Sequence, residues 1–221
     1  MGTDIHSIAQ IKKNGAWMTV ARAIADDDRN YDSFAVLADV RNGQGFAGIV
    51  TGEGWRPISQ PRGLPADLLV NVKHGSPSIP TETWYYQFDK DHSDPQTSFF
   101  LGEHSHSWVT LKEIETHWAE FVAHGHYLRH GIMARDVYLK MVKDGIPPQS
   151  WSGGIDGRGI KVVDQLDFTE ASDATHVRCQ WPVPAAEALR YLKQVIQELQ
   201  QIRVNLGVAA DDVRFVFGFD S

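Results

Sequence analysis

The feature that most constrains the fold is an Asn-Gly pair, Asn14-Gly15, which separates two short segments rich in apolar residues at 4–11 and 16–23. Asn and Gly tolerate positive φ at both central positions of a two-residue turn, and such turns join neighbouring antiparallel strands. The sequence therefore predicts a β-hairpin over residues 4–24.

The remaining elements follow from hydrophobic periodicity and capping signals. A Thr-Leu-Lys-Glu capping box at 110–113 begins one helix, and an apolar stripe over 184–206 predicts a long amphipathic helix. We further predict helices over 31–40 and 132–143 and strands over 175–181 and 213–220, the first of these helices ending at Asn42-Gly43.

These elements predict a single α+β domain over residues 1–221. It has two layers, with a mostly antiparallel sheet that contains both chain termini and amphipathic helices that cover it. Residues 43–107 are rich in Gly, Pro, Ser and Asp. We expect them to form a long, loop-rich insertion that contains functional loops and short elements too irregular to detect from the sequence.

Composition excludes several classes of protein. The formal net charge of −7 argues against coating long nucleic acid, although a small anionic ligand in a local basic pocket stays open. The single cysteine, Cys179, rules out a disulfide within the chain and fits a reducing compartment. No apolar run approaches the roughly 20 residues of a membrane helix, so we expect a soluble, intracellular protein with no membrane partner.

Asp4 and His6 lie two positions apart in the first predicted strand, so their side chains share one face at one end of the sheet. Asp220, near the end of the last strand, would approach them if the terminal strands pair. The three are candidate ligands for a divalent metal, Mg²⁺, Mn²⁺ or Zn²⁺, and Asp4 and His6 are also a candidate acid/base pair. A plain carboxylate–imidazole hydrogen bond, with Asp220 on the surface, is the structural alternative.

His104 and His106 form the densest imidazole cluster, just before the capped helix. An alternating pair can supply a general acid and base for phosphoryl chemistry or bind a metal, whereas a solvated polar loop explains it equally simply. His92 is a weaker third candidate. Four later histidines in or near helical sequence are expected to lie on the surface: His117, His124, His126 and His130.

Arg29, Arg41 and Arg62 occupy loop or helix-end positions, where guanidinium groups can bind phosphate in a bidentate manner. Ordinary salt bridges to nearby aspartates are the alternative. A nucleotide site would include these arginines together with Asn30, Tyr31 and Trp108, the two aromatic side chains stacking on a base unless Trp108 is a core anchor. The glycine-rich loop at 153–159 lacks the Gly-Lys-Ser/Thr of a P-loop and is interpreted as a flexible turn.

Six segments resemble, in order and from end to end, a family of phage and prophage proteins of unassigned function: residues 2–6, 29–31, 37–42, 62–65, 104–111 and 213–220. Members of that family typically open Met-Gly-Cys-Asp-Ile-His and close on Phe-Asp-Asn. This chain has Thr3 and Ser221 at the corresponding positions, which removes a cysteine nucleophile or ligand at position 3. The resemblance implies a phage origin and a location in the host cytoplasm.

Two functional hypotheses follow. In the first, the chain is a phosphodiester hydrolase of small nucleotides, including cyclic nucleotide signals of host defence. Its catalytic residues are His104, His106, His6 and Asp4, and its arginines hold phosphate. In the second, it is a non-catalytic protein that sequesters such a nucleotide, as a homo-oligomer whose pocket is shared between subunits. Both require the chain ends and the central imidazoles to meet around one cavity.

Overall fold

The structure is a computed structural model that describes residues 2–25, 29–68, 70–76, 79–88 and 95–220. His92 and Ser221, both singled out in the sequence, lie outside these residues.

The described residues form ten strands and five α-helices. The strands are β1 (Asp4–Lys13), β2 (Ala16–Arg22), β3 (Val70–Ser76), β4 (Ile79–Phe88), β5 (Pro95–Phe100), β6 (His104–Thr110), β7 (His126–Ala134), β8 (Val162–Asp164), β9 (His176–Pro184) and β10 (Val213–Asp220). The helices are α1 (Tyr31–Ala38), α2 (Leu111–His124), α3 (Arg135–Asp144), α4 (Ala185–Ala188) and α5 (Arg190–Leu206). Two single 3₁₀ turns lie at Phe46–Gly48 and Ala210–Asp212.

The predicted α+β class is confirmed, and both terminal strands lie in one antiparallel sheet. This sheet, here called the terminal sheet, has the order β2-β1-β10-β6, so the last strand of the chain inserts between the first hairpin and β6. The hairpin turn has φ of 53° at Asn14 and 82° at Gly15, the positive values for which the Asn-Gly pair is suited. The pairing of β1 with β10 places the two ends of the chain side by side.

The strands divide into three sheets rather than one. The segment 43–107, expected to be rich in loops, contains the three-stranded antiparallel sheet β3-β4-β5 and the start of β6. A third sheet has the order β7-β9-β8, here called the outer sheet, and its β8–β9 ladder is parallel. Strands β3, β4 and β5 were not predicted, because the Gly, Pro and Ser residues of this segment weaken the alternating pattern by which strands are recognised.

Several predicted helix bounds need correction. Residues 132–134 belong to strand β7, so α3 begins at Arg135. His126 and His130 lie in this strand, which follows the end of α2. The long helix is interrupted at Leu189, between α4 and α5. Helix α1 ends earlier than expected because Asp39 adopts the left-handed conformation and donates its N–H to the carbonyl of Ala35. The capping box at Thr110 is confirmed in both directions.

The main core lies between the terminal sheet, the helices and the outer sheet. Strand β10 turns Phe215, Phe217 and Phe219 into this core, where all three are fully buried. On the opposite face of the sheet, a smaller cluster around Ile8 and Val216 buries the middle of the strands. Removing one such phenylalanine side chain costs about 3–5 kcal/mol. Both faces are thus covered at the centre of the sheet. Half-buried polar side chains lie where β1 begins and β10 ends.

Within the described ranges, no helix has both the length and the apolar character needed to cross a membrane.

Candidate functional site

The two chain ends meet at one end of the terminal sheet, on its two central strands. Asp4 pairs with Asp220 and His6 pairs with Gly218 in the β1–β10 ladder. Because directly paired residues in an antiparallel ladder share a face, Asp4, His6 and Asp220 project to the same side. The Nε2 atom of His6 lies 3.0 Å from Oδ2 of Asp220, and each side chain is about a third exposed. This confirms that the terminal carboxylate reaches the first strand.

His106 joins this face because position 218 is a glycine. A Cβ atom on Gly218 would lie 2.5 Å from the Cδ2 atom of His106 and 2.0 Å from the carbonyl oxygen of Leu101, so no side chain fits there. The imidazole occupies that space and donates from Nε2 to the carbonyl of Gly102 at 3.1 Å. His6 and His106 therefore flank the same glycine.

His104 faces the other side of the sheet. Ser105 has φ of 51°, and the β6–β10 register shifts there, so that His104 pairs with Phe219. Its ring stacks on Phe219, with ring centroids 6.1 Å apart, and Phe219 points into the core. His104 and His106 therefore do not face a common site, as their alternating spacing predicted, because one extra residue in the ladder reverses the alternation.

Arg29 binds Asp4 through two parallel hydrogen bonds. Its Nε atom donates to Oδ1 of Asp4 at 2.5 Å and its Nη2 atom donates to Oδ2 at 2.9 Å. These hydrogen bonds, together with the charges of Arg29 and His6, hold the pKa of Asp4 below its ordinary value although slight burial opposes the shift. Asp4 is thus an ionised carboxylate whose two oxygens are both engaged by a guanidinium.

Asp4, His6 and Asp220 were predicted as metal ligands, but they are not arranged as a set that could hold a metal ion. In the part of the chain that the structure describes, no group of three or more His, Cys, Asp or Glu side chains could hold a metal ion. Arg29 takes both oxygens of Asp4, and His6 takes one oxygen of Asp220.

Tyr31, at the start of α1, and Arg41, after its end, both bind Thr3. The backbone N–H of Thr3 donates to the Tyr31 hydroxyl at 3.1 Å, and Nε of Arg41 donates to Oγ1 of Thr3 at 3.0 Å. Asn30, in contrast, has a structural role. It is 5% exposed, caps α1 by accepting from the N–H of Ser33, and donates to the carbonyl of Ala188.

Next to this network lies a cavity of about 470 Å³, here called the arginine cavity. Three arginines, two aromatic side chains and a glycine backbone line it: Arg29, Arg129, Arg190, Tyr31, Trp151 and Gly153. Its volume falls within the range of about 300–1,000 Å³ typical of small-molecule sites. Of the residues predicted for nucleotide binding, Arg29, Asn30 and Tyr31 line this cavity.

Arg129 is fixed in the cavity wall by a carboxylate and two rings. It forms an ion pair with Asp32, and its guanidinium carbon lies 5.7 Å from the Tyr127 ring centroid and 5.4 Å from that of Trp151. Burial raises the pKa of Asp32, although the charge of Arg129 and hydrogen bonds from Trp55 and Arg129 oppose the shift. The Nε atom of Arg129 is buried without a hydrogen-bond partner among the described residues.

Three residues of the cavity were not predicted from the sequence: Arg129, Arg190 and Trp151. Arg129 lies in β7, a strand that was not recognised, and Arg190 begins the second part of a helix predicted as continuous. The signal available was the tryptophan directly before the glycine-rich loop, since Trp151 and Gly153 line the same cavity.

Arg62 and Trp108 lie elsewhere. The Arg62 guanidinium carbon is 4.9 Å from the Trp108 ring centroid, and its Nη2 donates to Oε1 of Glu113 at 2.6 Å. Burial acts to raise the pKa of Glu113, but hydrogen bonds from Arg62 and Thr110 and the charge of Arg62 together hold it below its ordinary value. Trp108 also stacks on the buried Arg214. Arg62 therefore supports the start of α2 and does not join Arg29 in one pocket.

No family model, no curated protein and no solved structure matches this chain. Its function must therefore be argued from the site itself.

Proposed function

We propose that the protein binds a small nucleotide in the arginine cavity. The observation that carries this proposal is the convergence of Arg29, Arg129 and Arg190 with two aromatic side chains around about 470 Å³. Guanidinium groups bind phosphate oxygens in bidentate fashion, and aromatic rings stack on bases. A nucleotide offers both chemical groups in one molecule.

The charges of the lining fit a small anion. Three arginines and one aspartate line the cavity, and that aspartate, Asp32, is already paired with Arg129. The net charge of −7 repels a long polyanion, whereas a local cationic cavity still attracts a ligand with one or two phosphates. Selectivity for small nucleotides over long nucleic acid follows from this difference.

Arg29 can exchange partners when a phosphate binds. Its side chain is 59% exposed and that of Asp4 is 44% exposed, and ion pairs this open to solvent contribute little stability. A phosphate in the cavity offers the same guanidinium a second bidentate acceptor. We infer that Arg29 moves its hydrogen bonds toward the ligand.

Hydrolysis of a phosphodiester is the second candidate, and the His6–Asp220 pair favours it. Neither residue lines the arginine cavity, so this reaction requires a ligand that extends from the cavity past the Arg29–Asp4 pair to His6. A carboxylate 3.0 Å from an imidazole orients the ring and stabilises its protonated form, which is the arrangement of a general base. In this reaction His6 accepts a proton from water as the water oxygen attacks phosphorus. The P–O bond to the leaving alkoxide breaks, and the alkoxide takes a proton from solvent.

The resemblance to phage proteins suggests the ligand class. A phage protein in the host cytoplasm would gain from binding or destroying nucleotide signals of host defence. Mononucleotides and cyclic nucleotides are therefore the first ligands to measure.

The experiment is a calorimetric titration of the protein with AMP, GMP and cyclic AMP. We expect Arg29→Ala and Arg190→Ala each to weaken binding about tenfold, because each removes one phosphate-binding guanidinium. Arg56→Ala is the matched control, since Arg56 is also an exposed arginine paired with a carboxylate, Glu120, but lies outside the arginine cavity. Equal losses in all three variants, or no binding by the unmodified protein, would overturn the proposal.

The same samples separate binding from hydrolysis. Ligand recovered intact after heat denaturation indicates sequestration, whereas product that disappears in His6→Gln and Asp220→Asn indicates hydrolysis. Product that persists in both variants would exclude the His6–Asp220 mechanism. His104→Ala serves as the control imidazole, because His104 faces the core side of the sheet.

A further inference from the structure

A second hollow, of about 710 Å³, adjoins the arginine cavity along the outer sheet. Here called the apolar groove, it is lined by apolar side chains that include Ile49, Val50, Ile132 and Leu166. It shares Ile49, Gly153 and Gly154 with the arginine cavity. The two hollows therefore meet at one wall.

Ile49 and the two glycines form that wall. A Cβ atom on Gly153 would lie 3.1 Å from Cγ2 of Ile49, and one on Gly154 would lie 3.0 Å from its Cδ1. The isoleucine side chain thus lies directly against bare backbone. Larger residues at 153 or 154 would push it aside and narrow the connection, so the glycines keep the two hollows adjacent.

Three apolar side chains that line the groove are exposed to solvent. Leu166 is 98% exposed and Val50 is 56% exposed, and both line the same hollow as the partly exposed Ile49. Exposed apolar side chains that line one hollow offer a surface against which an apolar part of a ligand can pack. An apolar group of the ligand would be stabilised there by removal from water.

Polar groups at the edge of the groove fit a ring with hydrogen-bonding edges. Gln165 accepts from the backbone N–H of Gln180 through Oε1 at 3.2 Å, and Arg178 pairs with Asp164 at 3.2 Å in an exposed ion pair. Both hydrogen-bonded pairs, as well as His130, line the groove. Apolar walls combined with donors and acceptors at the edge are what a nucleobase requires.

The charges divide between the two hollows. The arginine cavity carries three arginines against one aspartate, whereas the ionisable pair of the groove, Arg178 and Asp164, is balanced. A ligand that fills both must place its anionic part among the arginines and an uncharged, flat part in the groove. A mononucleotide has one base and can occupy only one of the two hollows with it.

We propose that the ligand is a dinucleotide. Its phosphates lie against Arg29, Arg129 and Arg190, its first base lies near Trp151, and its second base lies in the apolar groove against Leu166. This inference rests on the proposed nucleotide binding and adds the class of nucleotide. The dinucleotide assignment gives a role to Leu166 and to the glycine-rich loop. Neither has a role if the ligand is a mononucleotide in the arginine cavity.

The experiment compares AMP with the linear dinucleotide pApA and with cyclic di-AMP in calorimetric titrations of the full chain, with His6→Gln as the background if turnover occurs. We expect at least one dinucleotide to bind about tenfold or more tightly than AMP, because a second base is buried. Leu166→Asp should remove this gain and leave the affinity for AMP unchanged. Its matched control is Val142→Asp, a 61% exposed apolar position on α3 that does not line the groove.

The outcomes separate the two proposals. AMP binding with no gain for either dinucleotide overturns this inference and leaves nucleotide binding intact, whereas failure of every nucleotide overturns both. An AMP ester of octanoate that binds more tightly than both dinucleotides would assign the groove to an acyl chain and overturn the second-base assignment. Because Leu166 is almost fully exposed, its variant should fold, and Val50→Asp provides an independent second substitution.

Discussion

Two regions of the molecule contain arginines packed against aromatic side chains, but the arginines have different roles in each. The arginine cavity contains Arg29, Arg129 and Arg190 with Tyr31 and Trp151. On the terminal sheet and the loop beside it, Trp17, Arg214, Trp108 and Arg62 form a row of alternating rings and guanidinium groups, here called the tryptophan–arginine stack.

Arg214 and Arg29 differ in their exposure to solvent and in their hydrogen-bond partners. Arg214 is 2% exposed, lies 4.1 Å from the Trp17 ring centroid, and donates to Gln10 and Asp67. Arg29 is 59% exposed and lines a hollow. A cluster of arginines and aromatics therefore does not identify a ligand site by itself. The contrast lies between Arg29, which is exposed and lines a cavity, and Arg214, which is buried among its partners.

Arg129→Met should have the largest effect, because Arg129 both lines the cavity and neutralises a buried carboxylate. Breaking a buried ion pair by removing one partner costs about 3–5 kcal/mol in the free energy of unfolding. The pKa of the Asp32 carboxyl is higher in the folded than in the unfolded state, so ionising this group lowers the free energy of unfolding. That loss is absent below the unfolded-state pKa of Asp32 and develops as the pH rises through its folded-state pKa. Urea unfolding should show a larger deficit at neutral pH than near pH ~4.

The double variant Arg129→Met with Asp32→Asn is the control for this interpretation. It removes the unpaired charge, so much of the stability should return while nucleotide affinity stays low. A deficit that is equal at both pH values would show that packing, not the charge of Asp32, dominates.

Arg214→Ala should destabilise the fold and leave ligand binding unchanged. It removes two cation–π contacts and the hydrogen bond to Gln10, which together are worth about 2–4 kcal/mol at a buried position. Urea unfolding gives the stability, and AMP titration gives the affinity. If affinity falls tenfold while stability is kept, the tryptophan–arginine stack is itself a ligand site and the contrast between the regions fails.

Arg62→Ala should have a smaller effect of about 1 kcal/mol on unfolding, because it removes the partner of the helix-capping Glu113 and one stacking contact. The affinity for AMP should not change. Loss of affinity would restore the sequence-based prediction that Arg29, Arg41 and Arg62 form one phosphate site. Arg62→Lys keeps the charge but not the planar stack, and so separates the two contributions.

The smallest expected change is in the titration of Asp4, followed by NMR of its carboxyl carbon. The hydrogen bonds from Arg29 hold the pKa of Asp4 below its ordinary value, so its midpoint should rise in Arg29→Ala. It should also rise when nucleotide binds, if Arg29 turns toward phosphate. Because the folded pKa is lowered, the associated stability is present above the unfolded pKa of about 3.9 and is lost as the pH falls through the folded value. An unchanged midpoint on binding would show that Arg29 keeps its partner.

Elements governed by neighbouring residues could be predicted from the sequence. The Asn14-Gly15 turn, the capping box at Thr110 and the strand over 213–220 all appear in the structure as predicted. Each depends on interactions within a few residues, so a short window contains the necessary information. The approach of Asp220 to the first strand also followed, once both terminal strands were placed in one sheet.

The candidate site itself was decided by tertiary structure. A single positive φ at Ser105 sends His104 and His106 to opposite faces, and no local pattern of residues signals that bulge. The arginine cavity draws Arg29, Arg129, Trp151 and Arg190 from four distant segments. Which segments become neighbours depends on how the sheets and helices bury their apolar faces against each other, a property of the whole chain. The sequence by itself determined the local elements, whereas packing alone selected the arginines that meet around a cavity.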